Sequence, residues 1–163
     1  MGQGYEFKCK CGYSFNPFLG VGFLFPKVYQ KRKDSAQKGE YGRELKEFFS
    51  EHPEGAIDAA MVVVKCQKCG DYSCVPNLSM YLPKTKEKRQ KGRWSVAMPF
   101  EGDDYVAPWE LSESYTLFAK YQHTCKSCGG DMDIVPEDDL EKNGIVCPRC
   151  GKSVSSEETI MWD

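Results

Sequence analysis

Residues 125–129, Cys125-Lys-Ser-Cys128-Gly129, and residues 147–151, Cys147-Pro-Arg-Cys150-Gly151, are two copies of one short unit, with eighteen residues between Cys128 and Cys147. Two Cys-x-x-Cys pairs about 15–20 residues apart have a physical meaning: each pair sits on a tight turn that presents two thiolates, and a hairpin between the turns brings four sulfurs around one tetrahedral ion. The glycine after each second cysteine suits a backbone position of positive φ, which a Cβ resists. Cysteines that served only as small buried apolar side chains would not repeat a whole Cys-x-x-Cys-Gly unit. Cys125, Cys128, Cys147 and Cys150 are therefore expected to hold one metal ion together.

A third copy, Cys66-Gln-Lys-Cys69-Gly70, lies upstream, and near the N-terminus stands Cys9-Lys-Cys11-Gly12, one residue shorter. A Cys-x-Cys pair still offers two thiolates to one ion, through a different turn. Cys9, Cys11, Cys66 and Cys69 form the second expected set, and the 54 residues between its halves form an inserted substructure. Cys74, the ninth cysteine, is a candidate to replace a ligand if the short loop fails to present both thiols. It is equally a buried thiol, or a reactive one given Lys65 and Lys68 close by in sequence. His123, two residues before Cys125, reads as an alternative ligand, a donor to thiolate sulfur, or a strand residue near the site.

The compartment follows from the same residues. Nine cysteines without an export signal point to metal ligation in a reducing cytoplasm, since a disulfide framework does not persist there. The first residues, MGQGYEFKCKCGYSF, lack a secretory leader, Glu6 stands where a myristoylation signal has Ser or Thr, and GVGFLF (residues 20–25) is far short of a membrane span. At 163 residues, with 40% hydrophobic and 28% charged side chains, the chain buries a real core, so metal supplements it. The net charge of -2 conceals a split: residues 1–93 carry 17 Lys and Arg against 10 Asp and Glu, giving +7, and residues 94–163 carry 5 against 14, giving -9. A module boundary near residue 93 is expected, giving an N-terminal module (1–93) and a C-terminal module (94–163).

Tyr5 to Cys9 alternates aromatic and charged residues, as a strand entering a knuckle does. SFNPFLGVGFLF (14–25) reads as a packed aromatic loop, in which Phe15, Phe18, Phe23 and Phe25 serve either core packing or stacking on bases. Pro26 opens a helix over residues 27–38, with Val28 and Tyr29 inward. A second helix follows from Tyr41, Leu45, Phe48 and Phe49 and ends at His52-Pro53, where His52 has a capping position; this helix is expected to dock on a sheet. AAMVVV (59–64) is a buried strand and VPNLSMYL (75–82) its return. WSVAMPF (94–100) reads as a further strand. Residues 109–121 mix helix and strand signals, with Ser112 or Ser114 as a cap. DMDIVP is a strand, 137–144 an acidic turn, and ETIMWD a closing strand. The fold class is α+β.

Two resemblances can be attached to these residues. The knuckles resemble those of zinc ribbons and rubredoxins, and CGYSFNPFLG from Cys11 is similar to the opening loop of rubredoxins. YEFKCKCG resembles the start of small bacterial zinc-ribbon proteins of unassigned role. The resemblance covers about a third of the chain and implies a metal-binding hairpin fold. The architecture expected from the whole reading is two zinc-ribbon-like modules of short antiparallel strands, two helices inserted in the first, and one Zn2+ in each. Rubredoxins have Cys-x-x-Cys where this chain has Cys9-Lys-Cys11, a departure that bears on iron at that site.

The expected role is a scaffold in which zinc fixes a surface for nucleic acid or a protein partner. Lys84, Lys86, Lys88, Arg89, Lys91 and Arg93 are the candidate contacts to phosphate or to an acidic partner, against the plain alternative of a solvated hairpin tip. The other reading is electron transfer by a rubredoxin-like iron site at Cys125, Cys128, Cys147 and Cys150, because four thiolates bind iron too. No catalytic constellation stands out: closed four-cysteine sets leave no open coordination position, GVGFLF lacks the third glycine of a phosphate loop, and there are two histidines.

Overall fold

The computed structural model describes residues 2–22, 24–85 and 105–162, with backbone alone at 157–160 and 162. In chain order the elements are β1 (Gly2–Lys8), β2 (Ser14–Phe15), β3 (Phe18–Leu19), α1 (Phe25–Lys38), α2 (Arg43–Glu51), β4 (Ala56–Ile57), β5 (Met61–Cys66), β6 (Tyr72–Pro76) and β7 (Met80–Pro83). They continue with α3 (Pro108–Ser114), β8 (Tyr115–Ala119), β9 (His123–Thr124), β10 (Asp131–Val135), α4 (Glu137–Asn143), β11 (Ile145–Val146), β12 (Ser153–Val154) and β13 (Ser156–Trp162). Among the described residues the fold is thus mixed, with four helices and short antiparallel strands.

The chain divides into two units that interleave. One comprises residues 1–23, 60–77 and 122–163, the other residues 24–59 and 78–121. The boundary expected near residue 93 lies outside the described residues, as does the strand expected at 94–100. All nine cysteines belong to the first unit.

In the first unit two sheets carry the knuckles. β13 runs antiparallel to β1 from Gly2 opposite Trp162 to Phe7 opposite Ser156, with a bulge at Glu6/Phe7, and β2 and β3 pair on β1 as well. The segment expected to be an irregular aromatic loop therefore contributes short strands. The second sheet has the order β6-β5-β10-β9, with Met132 opposite Cys66 and Val135 opposite Val63. Because successive side chains of a strand point to opposite faces, β5 supplies two cores. Val63 packs with Tyr5, Phe7, Leu19, Tyr72, Leu140 and Ile145, whereas Val64 packs with Cys66, Cys125 and Met132.

The acidic stretch expected to be a turn is α4. Glu137, Asp138 and Asp139 occupy its first turn, where carboxylates complement the positive end of the helix dipole, and Lys142 lies in its last. Leu140 is its one buried residue and is fully enclosed. Gly144 ends it at φ +66°, and a Cβ there would stand 2.1 Å from the Val154 carbonyl oxygen.

In the second unit α1 and α2 lie side by side and a sheet of order β4-β7-β8 completes the core. Pro26 stands in the first turn of α1 as expected, Tyr29 is fully buried and Val28 partly so. α2 buries Leu45, Phe48 and Phe49, and Phe48 meets Phe118 of β8 with ring centroids 5.3 Å apart, which is the expected docking on a sheet. The single return strand expected at 75–82 is two strands in two different sheets, parted by Leu78 at φ +63°. Residues 109–121 resolve into a helix followed by a strand. The helix starts at Ala107-Pro108, where the Glu110 carboxylate accepts from the Ala107 N–H at 2.8 Å, and not at Ser112 or Ser114.

Gly144→Ala should cost at least about 2 kcal/mol of stability, since it adds both a clash with the backbone and an unfavourable φ. Urea unfolding of the variant against the parent protein checks this, and an unchanged midpoint would contradict the packing described.

Candidate metal centres

Each knuckle is a hairpin closed by backbone hydrogen bonds around its first cysteine. The N–H of Cys66 donates to Asp71, that of Cys125 to Gly130 and that of Cys147 to Lys152, while the N–H groups of Gly70, Gly129 and Gly151 donate back to the carbonyls of Cys66, Cys125 and Cys147. The three glycines have φ of +74°, +70° and +72°. The Cys9–Cys11 knuckle repeats this plan one residue shorter: Cys9 N–H donates to Tyr13, Gly12 N–H donates to Cys9, and Gly12 has φ +88°. The missing residue is absorbed in the turn, and both thiols are presented.

The eight predicted ligands come together in two groups of four, but the pairs are exchanged relative to expectation. Cys9 and Cys11 meet Cys147 and Cys150; Cys66 and Cys69 meet Cys125 and Cys128. Within each group the sulfurs lie within 4.8 Å of one another. The separations include 3.5 Å for Cys9–Cys150 and Cys11–Cys147, 3.5 Å for Cys66–Cys128 and 3.7 Å for Cys69–Cys125. A tetrahedral ion with metal–sulfur bonds of about 2.3 Å needs sulfurs about 3.8 Å apart, whereas a disulfide needs about 2.05 Å. Both groups fit an ion and neither fits a disulfide. The comparisons with known proteins find no match: no protein family, curated protein or solved structure is similar to this chain by those searches.

Strand pairing explains the exchange. Cys125, Cys128, Cys147 and Cys150 were expected to close on one another across a hairpin, but the chain between the two pairs forms α4 and β10 pairs with β5. That pairing sets Cys66 beside Met132 and lets Gln67 N–H donate to the Asp131 carbonyl at 3.0 Å, so the knuckles at the ends of β5 and β10 face each other. The Cys147–Cys150 knuckle leads through β12 into β13, whose first residues lie against the end of β1 and hence beside Cys9. Gly130 completes the second centre. A Cβ there would come within 2.9 Å of Lys68 Cβ and 3.4 Å of both Cys66 and Cys128 sulfurs, a close approach not anticipated from the sequence, although the doubled glycine after Cys128 signals it.

The two remaining candidates are outside both groups. Cys74 on β6 donates its thiol hydrogen to the Phe18 carbonyl, 3.2 Å away, and Lys65 sits over the Tyr72 ring. His123 is buried with Nε2 3.0 Å from the Asn77 carbonyl, and burial lowers its pKa against the opposing effect of that carbonyl. His52 caps α2 through its backbone N–H, donated to Phe48, and its ring packs at an angle against Phe48 and Phe118. The phenylalanines expected to cluster are dispersed: Phe15 packs on the first unit's core, Phe18 is 49% exposed, Phe25 is buried in the second unit, and Phe23 is outside the described residues.

Electrostatics favour thiolate at one position in each group. The N–H of Cys69 is the chief influence on Cys66 and, with that of Lys68, outweighs burial to bring its thiol down to about 6. Burial opposes ionisation of Cys147 most strongly, yet the Cys150 and Arg149 N–H groups and neighbouring thiols hold it down to about 7. At Cys9 the backbone N–H of Cys11 favours thiolate, but burial and the surrounding thiols prevail and push it up to about 12; at Cys69 the N–H of Asp71 favours thiolate and the neighbouring thiols, with burial, likewise push it to about 12. Each knuckle also places a cation between its cysteines: Lys10 and Arg149 at the first centre, Lys68 and Lys126 at the second. Four thiolates around a divalent ion leave a charge of -2.

Two outcomes follow. Under the observed pairing, the double variant Cys11→Ser/Cys147→Ser loses one metal ion and Cys11→Ser/Cys66→Ser loses both, as counted by native mass spectrometry; sequential pairing reverses the two counts. The lowered thiols of Cys66 and Cys147 contribute stability that is present above the ordinary thiol value of 9.0 and is lost as pH falls through about 7 and then about 6. Loading with metal at neutral pH should release protons, with Cys9 and Cys69 among their sources, measurable by titration in a weakly buffered indicator solution.

Proposed function

We propose that both centres hold structural Zn2+ and that the first unit is a zinc-ribbon-like scaffold, its knuckles exchanged between the chain's two ends, which fixes a surface for nucleic acid or a protein partner. The observation that carries this reading is the closed four-sulfur geometry at both centres, with sulfur separations of 3.5 to 3.7 Å. Four thiolates saturate a tetrahedral zinc ion and leave no position for water or substrate, which separates a structural site from a catalytic one. Structural zinc in small peptides contributes about 10–16 kcal/mol to folding at neutral pH, ample to hold a unit whose second core is formed by few side chains.

The partner surface is proposed on sequence grounds. Lys84 is already engaged, its ammonium donating to the carbonyls of Ser112 at 3.2 Å and Glu113 at 2.8 Å at the end of α3. Lys86, Lys88, Arg89, Lys91 and Arg93 lie outside the described residues and stand as the proposed contacts to phosphate or to acidic side chains.

No helix among the described residues is long and apolar enough to cross a membrane. Elemental analysis combined with native mass spectrometry of untagged protein should show two zinc ions per chain, and a strong chelator should unfold the first unit. A red, iron-bearing protein would replace this reading with thiolate-iron electron transfer, and a single ion would remove one of the two centres.

A further inference from the structure

The second unit contains no cysteine and bears a groove between α2 and β8, of ≈ 490 Å³, lined by Arg43, Glu44, Glu47, Phe48, Glu51, Met80 and Phe118. Its floor and its wall differ in chemistry. Phe118 is 52% exposed and packs against Phe48 and His52, at centroid distances of 5.3 and 5.4 Å in tilted and edge-on arrangements, so an aromatic surface faces solvent. The wall is a carboxylate row: Glu44, Glu47 and Glu51 recur at spacings of three and four residues and so lie along one side of α2, spanning about 10 Å at 1.5 Å per residue. The Arg43–Glu47 ion pair, 3.3 Å between Nε and Oε1, has side chains 88% and 60% exposed. A pair so exposed to solvent holds its partners weakly, and an incoming cation can exchange with Arg43.

We propose that this groove docks a basic, partly apolar peptide segment of a partner protein. Three carboxylates in a row beside an aromatic floor are complementary to lysine or arginine side chains: the charged heads reach the α2 carboxylates while the alkyl stems, or an intervening aliphatic side chain, cover Phe118. The same wall repels phosphate, so nucleic acid is the wrong occupant for this face. The groove is independent of the metal reading, because none of its residues is in the unit that carries the cysteines.

The test uses the full-length, metal-loaded chain and short fluorescent peptides that alternate lysine or arginine with valine, leucine or phenylalanine, read by anisotropy. Saturable binding is expected, weakened by salt and reduced at least about tenfold in Glu47→Lys/Glu51→Lys and in Phe118→Ser. Both variants change solvent-exposed side chains, and far-UV circular dichroism with metal content verifies their folding; Glu47→Gln/Glu51→Gln gives a milder second variant. Absence of saturable binding, or equal binding by the parent protein and all three variants, overturns the proposal. Spermidine binding as tightly as the peptides also overturns it in favour of a polyamine, and equal binding of peptides with glutamate in place of lysine overturns the assigned role of the carboxylates.

Discussion

Four thiolates must converge on a point within bonding distance of one ion, and at the first centre they come from the two ends of the chain: Cys9 and Cys11 from the first knuckle, Cys147 and Cys150 from the last. Everything else in the first unit is arranged so that this meeting happens. The β1–β13 pairing brings the ends together along a ladder from Gly2/Trp162 to Phe7/Ser156, and the β5–β10 pairing does the same for the inner pair of knuckles. The centres are therefore nested, one closing around the other. Sequence distance is a minor obstacle, because loop-closure entropy grows only logarithmically. The outer closure costs under about 1 kcal/mol more than the inner one, small against the stabilisation a bound ion supplies.

β5 connects the two centres mechanically. Val63 faces the core that includes Cys147 and receives Cys9 at its edge, and Val64 faces the smaller core that includes Cys66 and Cys125. The larger core has aromatic mass of its own in Tyr5, Phe7 and Tyr72, and Tyr72 also accepts a hydrogen bond from the Val146 N–H at 3.2 Å. The smaller core has Val64 and Met132 with two ligand cysteines and little else fully enclosed. An ion at the second centre would thus replace side-chain packing, whereas one at the first would reinforce a core already present. Two insertions, residues 24–59 and 78–121, form the second unit.

Much of this was legible in the residues. All four knuckles, the positive-φ glycines, the helices after Pro26 and from Tyr41 and the closing strand at Glu158 to Trp162 follow from local spacing and turn chemistry. The partnership of the knuckles did not follow, because Cys-x-x-Cys spacing specifies a turn and says nothing of which other turn it meets. A local clue existed in residues 136–144: Pro136 followed by Glu137, Asp138 and Asp139, then Lys142 and Gly144, is the charge and breaker pattern of a short helix. A helix in that spacer is incompatible with a simple hairpin between Cys128 and Cys147. The break at Leu78 was hidden for a different reason. VPNLSMYL is apolar and β-prone on both sides of Asn77, and only tertiary pairing assigns its halves to different sheets.

The nested exchange of knuckles is the central claim, and cadmium-substituted protein tests it most directly through scalar couplings between each cadmium nucleus and the cysteine Hβ protons. One cadmium should correlate with Cys9, Cys11, Cys147 and Cys150 and the other with Cys66, Cys69, Cys125 and Cys128. A cadmium correlated with Cys9, Cys11, Cys66 and Cys69 would contradict the pairing, and with it the account of how β1–β13 and β5–β10 organise the first unit.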